Sequence, residues 1–209
     1  DKNFYGKGKL EDGVMPRGLT CYTAAAAIPY DPAKAKALLA EAGYPDGVEI
    51  NLHQVSSWSS KWSDMNQIIQ AQVAEAGFKA NIVTTDEAAF LDARKAGAAE
   101  AYTQVWSADF NDPDNFFYTF FSESGSKNRG YNNNDPEVFA AIEKARGMTD
   151  QAARCKLYQD LTARIVDTDA AWVPLFSLDH SYVVQPRVKN FVVPWNGWSD
   201  MNYFNVEVE

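Results

Sequence analysis

Three carboxylates lie close together in one aromatic segment of the chain, residues 106–117. Asp109 follows Trp106 at short distance, and Asp112 and Asp114 flank a proline. Carboxylates at this spacing could bind a metal ion, hold a cationic group of a ligand, or exchange protons with a substrate. The segment is therefore the strongest candidate in this sequence for a functional site.

Each of these chemistries makes a different demand on the spacing. A calcium loop needs oxygen ligands at alternating positions and a glycine at the sixth, but Pro113 takes the place of a ligand and Asp114 that of the glycine. A glycosidase needs two carboxyls facing each other across a substrate, which spacing alone does not establish. A turn in which Asp112 caps a helix beginning at Pro113 accounts for Asp112. Since capping does not explain Asp109, we predict that this carboxylate, set between two aromatic residues, holds a cationic ligand group.

Trp58 is a second candidate, because it lies in a serine-rich loop, residues 56–60, directly after a predicted strand. The two histidines, His53 and His180, fall in a strand and a turn, where structural roles are expected. The sequence has no GxSxG elbow, no glycine-rich phosphate loop and no CxxC pair. We therefore expect no catalytic residues, no cofactor and no bound metal. The remaining tryptophans of interest are expected in the core or at an interface: Trp62, Trp195 and Trp198.

The elements that position these candidates alternate as β-α-β-α-β over residues 48–106, after a helix that begins at Asp31. Hydrophobic periodicity and capping residues predict strands at 48–53, 78–83 and 102–106, with a helix over residues 65–76 between the first two and a helix after Asp86 between the last two. This order is typical of an α/β layer with right-handed crossovers, and ligands commonly bind beyond the carboxyl ends of its strands. Trp58 and Trp106 both follow such ends in the predicted order.

The rest of the chain is predicted to extend this layer into one α/β domain, residues 1–209, with a mixed central sheet flanked by helices. Two more helices begin at the capping residues Asp135 and Asp150, and residues 171–176 and 181–184 resemble strands. The first 30 residues are punctuated by glycine and proline and are expected to be irregular.

Composition restricts the function classes. The net charge of -9 and the pI of about 4.7 argue against nucleic-acid binding, and the sequence has no long basic run to suit a membrane surface. No apolar run is long enough to span a bilayer, and the first ten residues lack the basic and apolar pattern of a signal peptide. The chain is therefore expected to be mature, cytosolic or a fragment. Cys21 and Cys155 are either free thiols or a disulfide, which by the chain-entropy model would stabilise the fold by about 4 to 5 kcal/mol.

Four segments, in the right order along nearly the whole chain, resemble the peptide- and nickel-type (family 5) extracellular solute-binding proteins of ABC importers. Residues 30–47 resemble that family's DPxKAKxLLxEAGYPDG helix and turn, and residues 13–19 are similar to the GxxPPG approach to it. Residues 106–117 are similar to its WxxDxxDPDNF segment. Residues 150–167, followed by 171–176, resemble its last helix and AWIPL ending.

The resemblance implies a periplasmic-binding-protein-like fold in which the chain is the C-terminal lobe of a two-lobed protein. Such a protein is made as a signal-peptide-containing precursor, works outside the cytoplasmic membrane as a monomer, and passes a captured solute to the membrane permease of an ABC importer. In peptide-binding members the aspartate at the position of Asp109 holds the α-amino group of the peptide. The ligand-binding residues expected here are Asp109, Trp106, Trp58, Ser107, Ala108 and Phe110.

One departure from the family leaves the ligand open. Dipeptide binders carry an arginine for the ligand carboxylate near residues 55–61, where this chain has serines and a tryptophan, with Lys61 as the only cation. Longer peptides, a sugar, an opine or a nickel complex are therefore alternatives to a dipeptide. A carboxylate hydrolase using Asp109 with Asp112 or Asp114 remains the rival enzymatic interpretation.

Overall fold

The computed structural model describes residues 6–25, 28–131, 134–196 and 205–209. Trp198 lies outside the described residues. The helices are α1 Pro32–Glu41, α2 Ser60–Glu75, α3 Glu87–Lys95, α4 Asp114–Phe121, α5 Glu123–Arg129, α6 Pro136–Gly147 and α7 Gln151–Ala163, which continues as a π-helical turn, Arg164–Thr168. The strands are β1 Gly8–Leu10, β2 Val48–Val55, β3 Phe78–Thr85, β4 Ala101–Tyr102, β5 Phe176–Leu178, β6 Val188–Lys189 and β7 Glu207–Val208. Within the described residues, no helix combines the length and apolar character that a membrane span requires.

The predicted capping aspartates begin four of the helices. The side chains of Asp31, Asp86, Asp135 and Asp150 each accept a hydrogen bond from a backbone N–H in the first turn of the helix that follows. A carboxylate at this position satisfies donors that have no partner within the helix. The helices predicted from these residues are thereby confirmed, at the starts that the sequence indicated.

The central sheet is parallel, with the strand order β3-β2-β4. Strand β2 pairs with β3 along its whole length, and α2 and α3 supply the connections between strands. This arrangement confirms the predicted α/β layer flanked by helices, although the pairings of the central sheet in the described residues are all parallel where a mixed sheet was expected. Because the strands are parallel, the segments that follow them emerge at the same edge of the sheet.

Several predicted strands have different bounds in the structure. The strand expected at 102–106 is only Ala101–Tyr102, because the chain leaves the ladder where the Thr103 hydroxyl bonds Asn66 of α2. The strand expected at 171–176 is also wrong, since Trp172 packs on Phe120 and the strand β5 starts only at Phe176.

The ends of the chain depart from the prediction in the same way. Residues 181–184 form no strand, and Val183 is almost fully exposed. The opening segment, expected to be irregular, contains β1, which pairs antiparallel with β5. Strands β6 and β7 form a further antiparallel pair that the sequence did not indicate. Strands β1, β6 and β7 are short, and each pairs with residues distant along the chain, so local periodicity carries no signal for them.

Buried apolar side chains are concentrated in the helical region, which we define as α4–α7 with residues 13–22. Its core contains completely buried residues from α4, α6, α7 and the π-helical turn, and residues 14–19 pack against them: Phe117, Phe120, Phe121, Ile142, Tyr158 and Ile165. We call β2–β4 with α1–α3 the α/β layer. The candidate segment, residues 106–117, leads from this layer into the helical region.

Candidate functional site

Asn115, in the first turn of α4, organises the candidate segment. Its side chain is almost completely buried, and its Oδ1 accepts hydrogen bonds from the indole Nε1 of Trp106 (2.8 Å) and the backbone N–H of Asp109 (3.3 Å). Its Nδ2 donates to Oδ2 of Asp109 at 3.2 Å. One amide therefore holds together the two residues that the sequence marked most strongly.

Asp109 itself lies at the surface, on a loop held in place by the residue before it. Ala108, which precedes it, is buried, and its carbonyl accepts a hydrogen bond from Nδ2 of Asn196 (3.2 Å). Ser107 is partly buried, whereas Phe110 remains 49% exposed. The predicted group of residues 106–110 is thus brought together, with its carboxylate and one aromatic ring accessible to solvent.

Asp112 has a structural role that capping describes only in part. Its Oδ1 accepts from the backbone N–H of Asp114 (2.8 Å), as a capping residue does, and both of its carboxylate oxygens accept from the guanidinium of Arg154 at 2.7 Å. Burial raises the pKa of Asp112, but the hydrogen bonds and charge of Arg154 outweigh it and hold this pKa below its ordinary value. Arg154 also donates to the carbonyl of Ala145 (2.9 Å), so the pair joins the segment that precedes α4 to α6 and α7.

Asp114 forms an ion pair with a second arginine. Its Oδ1 lies 3.1 Å from Nε of Arg146 in α6. Burial nevertheless raises the pKa of Asp114, because the arginine compensates only in part for lost solvation. Across the ranges that the structure describes, no group of three His, Cys, Asp or Glu side chains could hold a metal ion. Two of the three carboxylates in the candidate segment, Asp112 and Asp114, are thus paired with arginines.

A disulfide joins Cys21 to Cys155, with Cα atoms 4.9 Å apart, which settles the alternatives left open by the sequence. The neighbours of both cysteines hold the candidate segment. The backbone N–H of Thr20 donates to Oδ1 of Asn111 (2.8 Å), and Arg154 binds the adjacent Asp112. The disulfide thus joins the two chain segments whose residues, Thr20 and Arg154, bond the candidate segment.

The indole of Trp106 lies between the loop and the helical core. It makes an edge contact with the ring of Phe120 (5.3 Å), and the guanidinium of Arg129 lies over both rings, 5.2 Å and 4.7 Å from their centroids. Burial lowers the pKa of Arg129, and the like charge of Arg94 lowers it further. Trp106 is therefore fixed by one hydrogen bond and by ring packing.

Trp58 lies apart from this group. It occupies the turn after β2, where it packs edge-on against Phe90 of α3 (5.8 Å). Ring contacts then continue through Tyr102 and Tyr131 into the helical core that contacts Trp106. Trp58 and Trp106 thus share one aromatic series without a direct contact in the described part of the chain.

A buried polar network runs along the carboxyl edge of the parallel sheet. Asn66 of α2 is fully buried, accepts from the Thr103 hydroxyl (3.2 Å) and donates to the side chain of Gln54 (2.9 Å), which in turn donates to the Thr84 hydroxyl (2.9 Å). The network ties both neighbouring strands and the segment that precedes Trp106 to one helix. His53, on the same strand as Gln54, lies within the ladder, as its sequence position predicted.

The arrangement has one carboxylate suited to a ligand. Among the described residues, Asp109 has no cationic side chain within ion-pair distance, while Asp112 and Asp114 each have an arginine. Sequence reasoning missed Asn115 and both arginines. The sequence placed Arg154 on the helix capped by Asp150. It gave no signal that Arg154 pairs with Asp112, because the two residues are far apart along the chain.

The family described as bacterial extracellular solute-binding proteins, family 5 Middle, matches residues 1–128. Among curated proteins, heme-binding protein A of Haemophilus influenzae is 37% identical over 171 residues, which are 78% of this chain and 30% of that protein. The dipeptide-binding protein of Escherichia coli is 35% identical over 188 residues, which are 86% of this chain and 34% of that protein. The chain spans about a third of the length of the curated relatives it matches.

Solved structures resemble the described fold over almost all of this chain. HbpA2 from Haemophilus parasuis has a TM-score of 0.81 with 28% identity and covers 99% of this chain and 41% of its own. The periplasmic binding protein DppA from Helicobacter pylori, in complex with the peptide STSA, has a TM-score of 0.78 with 27% identity and covers 98% of this chain and 40% of its own. The fold expected from the sequence, that of a periplasmic binding protein, is confirmed.

Proposed function

The chain belongs to the family 5 bacterial extracellular solute-binding proteins, and from this premise we propose that it is the C-terminal lobe of a two-lobed protein that captures a peptide for an ABC importer. The family description confirms the extracytoplasmic location expected from the sequence. Support for a peptide comes from several relatives that are named dipeptide- or di/tripeptide-binding proteins and from the relative solved with the peptide STSA.

The observation that carries this proposal is the state of Asp109. It is a surface carboxylate without a cationic partner among the described residues, held beside Trp106 by the amide of Asn115. A carboxylate presented in this way is suited to the ammonium group of a peptide N-terminus, because a charge-assisted hydrogen bond compensates an ammonium for lost water. Trp106, Phe110 and the backbone at Ser107 and Ala108 would line the same site.

Trp58 is proposed to face the ligand from the end of the neighbouring strand. It follows β2 as the candidate segment follows β4, so both lie toward the carboxyl edge where open parallel sheets bind ligands. The loop that holds it offers serines and no arginine. We therefore infer that this lobe recognises the amino end of a peptide more strictly than its carboxyl end.

The family is one of binding proteins, and we propose that this chain performs no chemistry on its ligand. A hydrolase would need Asp112 or Asp114 as a second reacting group, yet both are paired with arginines. The mechanism would instead be closure of two lobes around the peptide, which stabilises the closed form, followed by delivery to the permease by a monomeric protein.

The test is a thermal-shift comparison of the full-length protein with free-amine peptides and their N-acetylated forms. A ligand at 100 times its Kd stabilises by about 2.7 kcal/mol, so the free-amine peptide should raise the Tm by several degrees. The variant Asp109→Ala should lose this shift, and Asp46→Ala, which removes an exposed carboxylate from the turn after α1, should keep it.

Equal shifts for free and acetylated peptides, or an unchanged shift in Asp109→Ala, would exclude the amine-holding role. A shift with sugars, opines or nickel complexes alone would move the ligand chemistry to the loop around Trp58. Release of a chemically altered peptide would revive the hydrolase interpretation.

A further inference from the structure

The side chain of Asn115 makes bonds that only an amide can make. Its Oδ1 uses both acceptor positions, for the indole N–H of Trp106 and the backbone N–H of Asp109, and its Nδ2 donates to the carboxylate of Asp109. An aspartate here would accept both N–H groups but would face the Asp109 carboxylate with a like charge. An apolar residue would leave the partly buried indole N–H of Trp106 without its acceptor.

Resting on the proposed function, we propose that Asn115 is the positioning residue of the amine site: it fixes the orientation of the Asp109 carboxylate and links that orientation to the ring of Trp106. Oδ2 of Asp109 is taken by Asn115, which leaves Oδ1 to meet the ligand ammonium. Because the same amide holds Trp106, the charged and aromatic parts of the site keep a constant relation.

The support beneath Asn115 explains how it can do this. Its backbone N–H donates to the carbonyl of Asp112 (3.1 Å), whose side chain receives both guanidinium bonds from Arg154. The following residues of α4, Phe116 and Phe117, are buried in the helical core. A rigid support of this kind keeps the carboxylate in its binding orientation before the ligand arrives, which reduces the ordering that binding requires.

A purely structural role makes a different prediction from a positioning role. If Asn115 only stabilised the loop, its loss would weaken binding of every ligand of the site to the same extent. If it orients Asp109, its loss weakens ligands that carry an ammonium group much more than their acetylated forms. The quantity that distinguishes the two roles is therefore the ratio of the Kd values for the acetylated and the free-amine peptide.

The experiment measures this ratio by calorimetry in the full-length protein and in Asn115→Ala, Asn115→Asp and Asp109→Ala. Asn128→Ala, at an exposed asparagine of α5, is the matched control. We expect the control to keep the ratio and both Asn115 variants to reduce it at least tenfold, as Asp109→Ala does.

The outcomes separate this inference from the proposed function. A ratio that is unchanged in Asp109→Ala overturns both. A ratio reduced in Asp109→Ala but unchanged in Asn115→Asp, which preserves the size of the side chain, overturns the positioning role alone. If Asn115→Ala does not fold, the ratio in Asn115→Asp decides the matter. A shifted indole N–H resonance of Trp106, identified with Trp106→Phe, would accompany the expected result, whereas an unchanged resonance in Asn115→Ala would contradict it.

Discussion

The helical region and the α/β layer both contain several helices, but the side chains of these helices are buried to very different extents. In the helical region, α4 buries most of its aromatic side chains, and α6 and α7 enclose completely buried residues. In the α/β layer, α1 buries no residue and α2 buries only Met65 and Asn66. The layer's interior also contains the polar network of Asn66, while the helical region holds phenylalanine rings.

The difference explains how the site is built. Asp109 and Trp106 leave the sheet but take their support from Asn115 and the helical core, the region with more buried apolar surface. Trp58 takes its support from Phe90 in the more thinly packed layer. Since burial of apolar surface is the main stabilising term, we expect local opening to cost more free energy beneath Asp109 than beneath Trp58.

A matched pair of isoleucines gives the largest test of this contrast. Ile142 of α6 is completely buried in the helical core, whereas Ile68 of α2 is 46% exposed. Ile142→Ala should reduce the free energy of unfolding by about 2 to 5 kcal/mol, because it removes buried methyl groups and leaves a cavity. Ile68→Ala should cost less than about 1 kcal/mol. Urea unfolding of the chain, followed by circular dichroism, measures both.

The two variants share the same change in side chain and in helix propensity, so burial is the remaining difference. Equal losses of stability would show that the α/β layer is packed as firmly as the helical region. A larger loss for Ile68→Ala would reverse the comparison.

The carboxylates of the candidate segment give a second test, which uses pH. The pKa of Asp112 is held low, so the stability it contributes is complete above the ordinary value of 3.8 and is lost as the pH falls through its folded-state pKa. Asp112→Asn should therefore unfold more easily at neutral pH, by about 1 kcal/mol after allowance for solvent screening of this partly exposed pair, and should lose less stability on acidification.

Asp114 should behave in the opposite way. Burial raises its pKa above 3.8 in the folded state. As the pH rises from 3.8 through the folded-state pKa, the carboxyl ionises more readily in the unfolded chain than in the folded one, so the free energy of unfolding falls. The stability of Asp114→Asn relative to the unmodified chain should therefore increase with pH over this window. Thermal unfolding between acidic and neutral pH measures both slopes, and slopes of the same sign for the two variants would contradict the assignment.

The sequence predicted the parts of this fold that depend on local chemistry. Capping aspartates located helices in both regions, and alternation located β2 and β3, because each signal lies within a few residues of the element it starts. The pairing of β1 with β5 was not predictable in this way, since neither strand is long enough to show a period. The helix α5 was missed too, because its composition of serine, glycine and charged residues is unlike that of a helix interior.

In the candidate site, too, the sequence indicated the residues with a local signal and missed those that depend on long-range packing. Asp109 and Trp106 were selected as candidates from their types and spacing, and in the structure both are hydrogen-bonded to the amide of Asn115. That amide was not found, because Asn115 within a turn-like sequence is indistinguishable from a surface asparagine until the burial of α4 is known. The pairing of Asp112 with Arg154 and of Cys21 with Cys155 likewise depends on long-range packing.

The capping aspartates offer the smallest and most direct test of the contrast, because Asp31 and Asp150 are both exposed and both accept first-turn N–H groups. Asp150→Ala should lower the free energy of unfolding of the whole chain by about 1 kcal/mol, since α7 carries buried residues that depend on its first turns. Asp31→Ala removes a similar cap from a helix that buries none, so its first turn can open without exposing core. We expect a global loss of a few tenths of a kcal/mol there, with faster hydrogen exchange confined to α1. Exchange that instead accelerates throughout the sheet in Asp31→Ala would show that α1 is coupled to the fold by more than its exposed surface indicates.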